Sequence, residues 1–283
     1  MVDQRSGTTI YGNQPDVRSM RQVFPLFQAE LIKLKRSAVW YLLALGVLLT
    51  AAGIFVGHLL DAHNMVRINI DPWERYFRAA LAIFNLFIVV PYTVLLVSAV
   101  VFVEQRANAW KYLYSLPHRR GQFFLTKWLL VGVLYILSIF LLLGGVILSG
   151  YILEIFRPEY EFTYYQPKIG YLLQEMGHFF LASLGLIGFQ YWLSLRFRNI
   201  LIPLGIGVFG FVFGIIMSVT SQKLALYLPY SLPMIVRDFD MFRNEHIQDS
   251  FIIGLNNVEL HSILMGLAFL LLGYWQEQRR KIV

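Results

Sequence analysis

Few side chains in this sequence of 283 residues are spaced as catalytic or metal-binding groups are. His58 and His63 flank Asp61, and imidazole and carboxylate groups can bind a metal ion together. Because the chain has six histidines, an accidental grouping is the simpler interpretation, and we expect no metal site. The sequence has no H-E-x-x-H motif, no G-x-S-x-G motif and no cysteine nucleophile, so these patterns predict a protein that is not an enzyme.

The chain also lacks the usual means of binding a nucleotide. A P-loop holds phosphate groups with backbone N–H groups and requires Gly-Lys followed by Ser or Thr. No lysine in this sequence follows a glycine. If ATP supplies energy, a separate subunit must bind the ATP and Mg²⁺, and we expect this chain to bind no cofactor.

Residues 104–121 form a polar segment with the features of a docking surface. Residues 107–116 can form a short helix with Trp110 and Leu113 on one face, and Pro117 would end it. Acid before this helix and basic residues after it suit contact with a soluble partner, and an interfacial linker is the alternative. The residues expected at the contact are Glu104, Arg106, Asn108, Trp110, Lys111, Leu113, Pro117 and Arg119.

The composition indicates that residues 104–121 connect helices that cross a membrane. Hydrophobic residues make up 57% of the chain and charged residues 14%, whereas soluble domains have about 45–50% and about 25%. A helix needs about 20 apolar residues to cross a bilayer. Six runs qualify, which predicts an all-α integral membrane protein of six transmembrane helices; the runs are approximately residues 38–60, 80–103, 123–153, 172–195, 200–220 and 260–276.

The basic residues predict the orientation of these helices. With six spans, 16 of the 24 Lys and Arg residues but only 5 of the 17 Asp and Glu residues fall on the side of the two termini. That side has a net charge of +11 and the other −4, so the positive-inside rule places both termini in the cytoplasm. The basic residues flank apolar runs and form no folded basic module, which argues against nucleic-acid binding.

The interiors of the six runs are almost free of ionisable residues, which argues against an ion-coupled carrier or a carboxylate-lined channel. An apolar or amphipathic cargo would suit such a path better than an ion. Asn85 and Gln190 could contact substrate or hydrogen-bond to neighbouring helices, and Pro91 should kink the second run. Gly210 and Gly214 permit a close helix contact, either within the chain or between subunits.

The regions outside the spans are short. Residues 1–18 are polar with scattered Gly and Pro, so we expect disorder there. Residues 19–37 are predicted to form an interfacial helix, because Phe27, Leu31 and Leu34 recur at helical spacing. The transmembrane domain would span residues 38–276 with an outer loop at 221–258, and residues 277–283 would form a cytoplasmic C-terminus.

The docking segment resembles a pattern found in ABC-2 type permeases, the membrane subunits of bacterial ABC exporters. In that pattern an acidic residue ends the second span and is followed by an Asn-containing turn, W-K-x-L, S-L-P and a basic residue. The residues that match are Glu104, Asn108, Trp110, Lys111, Leu113, Ser115, Leu116, Pro117 and Arg119. Residues 30–37 and 196–199 also resemble the family's lead-in to the first span and its turn before the fifth span.

The resemblance implies that residues 107–116 form the coupling helix that contacts an ABC ATPase subunit. It implies a dimer of two permease copies or paralogues in the bacterial cytoplasmic (inner) membrane, and ATP-driven export of an antimicrobial peptide such as a lantibiotic, a drug or a lipid. The sequence is most similar to the lantibiotic-protection and bacitracin-type branch. A non-transporting membrane scaffold or sensor partner is the main alternative, and an intramembrane enzyme ranks behind it.

Overall fold

A computed structural model describes residues 17–35, 37–60, 71–106, 120–197, 199–236 and 255–279. Nearly all of these residues are helical, which confirms the predicted all-α class. The helix α1 precedes six helices that are long and apolar enough to cross a membrane. In chain order the helices are α1 (Val17–Leu34), α2 (Val39–Leu60), α3 (Pro72–Ile83), α4 (Val89–Arg106), α5 (Arg120–Phe156), α6 (Phe162–Tyr165), α7 (Ile169–Arg196), α8 (Leu201–Thr220), α9 (Gln222–Ala225), α10 (Leu232–Ile235) and α11 (Asn257–Arg279).

The six candidate spans agree with the six predicted apolar runs. They are Val39–Leu60, Pro72–Val103, Gly121–Phe156, Leu172–Arg196, Leu201–Thr220 and Asn257–Arg279. We call the end of the bundle where α4, α7 and α11 terminate the basic end, because Arg106, Arg196 and Arg279 are the last residues of these helices. The other end is called the opposite end.

The second span begins at Pro72, earlier than the predicted start at residue 80. Its first part, α3, carries charged residues that lower the local hydropathy, but one face is apolar and buries Trp73, Tyr76 and Phe77. The Asp71 side chain accepts a hydrogen bond from the Trp73 N–H, which caps the start of α3. A π turn (Phe84–Ile88) joins α3 to α4.

The most extensive helix contact among the described elements is between α7 and α11. Small residues allow the two backbones to approach, because a Cβ atom on Gly188 would lie 3.0 Å from the Gly266 Cα. Ser262 on α11 donates its hydroxyl to the Ala182 carbonyl at 2.8 Å and accepts the Gly185 N–H at 2.8 Å. These bonds fix the position of the first part of α11 relative to the middle of α7.

Residues 221–236, which we call the re-entrant segment, fold back into the bundle from the opposite end. The sequence places them in an outer loop at 221–258, but Tyr230 and Leu232 are buried. Tyr230 contacts Gly210, which lies about 15 Å from the end of α8 at a rise of about 1.5 Å per residue. The sequence did not predict the structure of this outer loop, and the described part of it is packed within the bundle; residues 237–254 lie outside the described residues.

Candidate functional site

The buried side chain of Gln190 is the centre of a polar network near the basic end. Its Nε2 donates to the Ser98 Oγ at 3.2 Å and to the Pro203 carbonyl at 3.2 Å, and its Oε1 accepts from the Tyr230 hydroxyl at 3.3 Å. Ser98 also lies 3.3 Å from the Ser194 hydroxyl. We call these five residues the Gln190 network. They join α4, α7, α8 and the re-entrant segment.

The amide of Gln190 needs hydrogen-bond partners within the protein because it is buried. A buried amide loses several hydrogen bonds to water, and the loss is costly unless protein groups replace them. Here both polar atoms of the Gln190 amide have partners and the side chain has no solvent exposure. The sequence left two roles open for Gln190, contact with substrate and hydrogen bonding to neighbouring helices. The contacts among the described residues correspond to the second role.

A second set of hydroxyl groups joins α4 to α5 and α7. The Tyr92 hydroxyl hydrogen-bonds to the Ser138 hydroxyl. The Tyr135 hydroxyl donates to Ser183 at 2.9 Å and accepts from Thr93 at 3.5 Å. Together with the Gln190 network, these bonds connect α4 to three neighbouring spans.

The π turn that precedes α4 interrupts the regular helical hydrogen bonding of the second span. Its hydrogen bonding is displaced by one residue, since the Val89 N–H is bonded to the Phe84 carbonyl. Pro91 follows shortly after and removes one backbone donor from the helix. Asn85 lies within the turn at 4% exposure, and its Oδ1 has no hydrogen-bond partner among the residues that the structure describes. The backbone therefore makes fewer regular helical hydrogen bonds from Phe84 to Pro91 than in the rest of α4.

The Gly210 and Gly214 pair packs against the same chain. A Cβ atom on Gly210 would lie 2.4 Å from the Tyr230 ring, and one on Gly214 would lie 3.3 Å from the Tyr230 backbone. The absence of side chains on this face of α8 leaves the space that Tyr230 occupies. Of the two contacts that the sequence left open, the described residues therefore show the one within the chain.

At the basic end, α1 is attached to α5 by a buried ion pair. The Lys127 Nζ lies 3.8 Å from one carboxylate oxygen of Glu30, whose other oxygen is 2.5 Å from the Lys33 Nζ. Glu30 and Lys127 are only 6% and 4% exposed. A signal for this pair is present in the sequence, because a lysine inside an apolar run requires a partner. That the α1 helix lies along a membrane surface stays a prediction.

A family model for an ABC-2 family transporter protein matches residues 26–214, from α1 to α8. The chain belongs to the ABC-2 transporter family. No curated protein matches it. The predicted resemblance is confirmed at the level of the family, and the chain is a multi-pass membrane permease of an ABC transporter. Membership implies an ABC ATPase as its partner.

The permease's docking segment is largely outside the described residues. Glu104 and Arg106 are in the last turn of α4, for which the structure describes the backbone. The segment connects α4 to α5 at the basic end. The residues expected to contact the ATPase stay a prediction. Those that lie outside the described residues are Asn108, Trp110, Lys111, Leu113, Pro117 and Arg119.

The sequence interpretation missed a buried contact at the opposite end of the permease. The His178 Nδ1 lies 2.6 Å from the Glu259 Oε1, and the other oxygen of this carboxylate accepts the Asn256 N–H at 3.0 Å. Glu259 is 1% exposed. The pair joins α7 to the start of α11, and only the register of these two helices could have revealed it.

The histidine and aspartate group at the end of α2 is described only in part. His58 is buried, its Nδ1 is 3.0 Å from the Ile54 carbonyl, and its ring packs against Tyr76. Asp61 and His63 lie outside the described residues. Within the described ranges, no three His, Asp or Glu side chains are grouped as metal ligands would be.

Proposed function

We propose that this permease uses the energy of a separate ABC ATPase to export an amphipathic or apolar cargo from the bacterial cytoplasmic membrane. The observation that carries the proposal is the chemistry of the buried spans. Between the buried ion pairs near the two ends, the described buried polar groups are hydroxyls and amides such as Ser98, Tyr135 and Gln190, which bond to other uncharged groups. The described buried carboxylates, such as Glu30, Glu259 and Glu277, lie near helix ends. Such an interior suits neither proton nor sodium coupling.

The proposed coupling begins at residues 107–116, where the ATPase would contact the permease. A displacement of this segment would act on α4, which the Gln190 network connects to α7 and α8. The other part of the second span, α3, is anchored near the opposite end. There the Trp73 Nε1 donates to the Phe162 carbonyl at 2.8 Å. The Tyr76 hydroxyl also lies 2.8 Å from the Ser149 hydroxyl. The π turn between these two anchored parts is where the span would bend.

We further propose that two permease copies or paralogues form the transport unit, with both termini in the cytoplasm. The exposed faces of α2 and α8 support this arrangement, because they are apolar and available to lipid or a second copy. Leu48, Val208 and Phe209 are examples, at 63%, 64% and 72% exposure. In a membrane, a subunit contact on such a face depends on close packing more than on hydrophobicity.

The cargo class follows from the apolar interior and from the sequence similarity to the lantibiotic-protection and bacitracin-type branch. An antimicrobial peptide such as a lantibiotic is the proposed cargo, with a drug or a lipid as the wider class. Export toward the outside agrees with the concentration of acidic residues on the side away from the termini, since such a surface attracts cationic peptides.

The decisive experiment replaces the predicted coupling surface. We expect Trp110→Ala combined with Lys111→Ala to abolish most co-purification of the ATPase subunit from native membranes, and to remove the stimulation of ATP hydrolysis. Lys223→Ala is the matched control, because this exposed lysine is at the opposite end.

Two outcomes would contradict the proposal at different levels. If the double variant retains the ATPase and its stimulation, residues 107–116 are not the coupling surface. If the unaltered chain recovers no ATPase subunit in mild detergent, transport is not supported and a membrane scaffold or sensor partner becomes the better interpretation.

A further inference from the structure

The ends of α7 and α11 enclose a crevice at the basic end. Its volume is about 270 Å³, and its walls include Trp192 and Arg196 from α7 and Trp275 and Arg279 from α11. The Trp192 Nε1 donates to the Gln276 Oε1 at 3.1 Å, which connects the two walls. None of the described residues that line the crevice belongs to the Gln190 network.

Two arginines are positioned at this crevice by aromatic rings. The Arg279 guanidinium carbon lies 4.0 Å from the centre of the Trp275 ring, and that of Arg196 lies 5.7 Å from the centre of the Trp192 ring. The close contact restricts the Arg279 guanidinium group, the longer one attracts that of Arg196 to its ring, and both leave the N–H donors available. Among the described residues, neither arginine has a carboxylate partner, so their N–H groups can bind an external anion.

The local charges favour an anion with a single negative charge. The two arginines contribute two positive charges, but the carboxylate of Glu277 forms part of the wall and is 7% exposed. The last carbonyl groups of α7 and α11 add partial negative charge at the same end. A phosphodiester carries one charge and two oxygens that match the planar arginine donors.

The surroundings favour a lipid as the source of the phosphodiester. The crevice is at the end of two spans, where headgroups lie, and Trp275 is 54% exposed beside it. Leu271 and Leu272, one turn further into the membrane on α11, are 67% and 51% exposed and can contact acyl chains. Basic pockets between spans on the cytoplasmic side are suited to anionic headgroups.

We propose that this crevice binds the phosphodiester headgroup of an anionic phospholipid between Arg196 and Arg279. The acyl chains lie along the exposed leucines of α11. The inference concerns a bound lipid rather than the cargo or the ATPase, so it goes beyond the transport function proposed above.

The test measures how much phosphatidylglycerol the purified full chain retains, by native mass spectrometry during a titration with this lipid. We expect Arg196→Gln combined with Arg279→Gln to weaken retention about tenfold, because two basic contacts to the headgroup are lost. Lys35→Gln combined with Lys223→Gln removes the same charge from exposed positions outside the crevice and should leave retention unchanged. Phosphatidylcholine, which has no net charge, should be retained weakly by every variant.

A second pair of variants keeps the test valid if the glutamine variant does not fold. Arg196→Lys combined with Arg279→Lys retains both charges but loses the planar donors, and we expect retention between that of the unaltered chain and the glutamine variant. Equal retention by all variants, or an equal loss in the Lys35 and Lys223 control, would overturn the site. Displacement of the lipid by inorganic phosphate at comparable concentrations would overturn the assignment to a lipid.

Discussion

At the scale of single residues, Gln190 illustrates how a polar side chain can be structural inside a membrane domain. The amide bonds to groups on three other elements, and each of these groups is itself buried. Removing the amide leaves the Ser98 hydroxyl, the Pro203 carbonyl and the Tyr230 hydroxyl to find other partners. The cost of such losses in membranes is moderate, because the unfolded helices also form polar contacts in the bilayer.

We therefore predict that Gln190→Leu lowers the free energy of unfolding by about 1–2 kcal/mol. The measurement is reversible unfolding in detergent, followed by the spectral change of the buried aromatic residues. Gln174→Leu is the matched control, because Gln174 is exposed on the same helix. Equal stability of the two variants would show that the hydrogen bonds of the Gln190 network do not stabilise the fold.

At the scale of elements, the second span consists of two well-packed parts separated by a weak turn. α3 is anchored to residues near the opposite end, whereas α4 is anchored to α5, α7 and α8. The π turn and Pro91 lie between these anchors, and both reduce regular backbone hydrogen bonding. Kinks of this kind are usually found at proline or at π turns, and this span has both.

The proposed bending at this turn leads to a prediction for Pro91→Ala. Alanine restores a backbone donor, so we expect a stiffer span, unchanged co-purification of the ATPase, and cargo-stimulated ATP hydrolysis reduced several-fold. Pro203→Ala is the control, because Pro203 is in the first turn of α8, where an N–H group has no helical partner. Unchanged stimulation in Pro91→Ala would exclude bending at this position from the coupling step.

At the scale of the whole molecule, six spans require both ends of the transmembrane domain to be on the same side of the membrane. The strong excess of basic residues on that side predicts that it is the cytoplasm. The chain contains no cysteine, so a single introduced cysteine reports its own location without interference.

We predict that a membrane-impermeant thiol reagent applied to intact cells labels Tyr164→Cys but not Lys35→Cys. Tyr164 is exposed at the opposite end, and Lys35 is exposed next to α1 at the basic end. Labelling of both after the cells are opened is the control for reactivity. The reverse pattern would invert the orientation. Labelling of both in intact cells would contradict the three spans that separate the two positions.

Much of this architecture is predictable from the sequence, because each membrane-spanning helix must have an apolar composition of its own. A bilayer requires about 20 apolar residues with internally bonded backbone groups, so each span is visible as an apolar run. The pattern from Glu104 to Arg119 likewise points to the family that the comparison confirms. Where the prediction was inaccurate, as at Pro72, charged residues on one helix face concealed an apolar stripe on the other.

The number of spans, the distribution of charge and the resemblance to the ABC-2 family could all be derived from the sequence. The packing of helices was needed to show that residues 221–236 re-enter the bundle, that Gly210 accommodates Tyr230, and that Glu30 pairs with Lys127. The reason is physical: the transfer of a helix into lipid depends on its own residues, whereas a hydrogen bond or ion pair depends on which helices are neighbours and in what register.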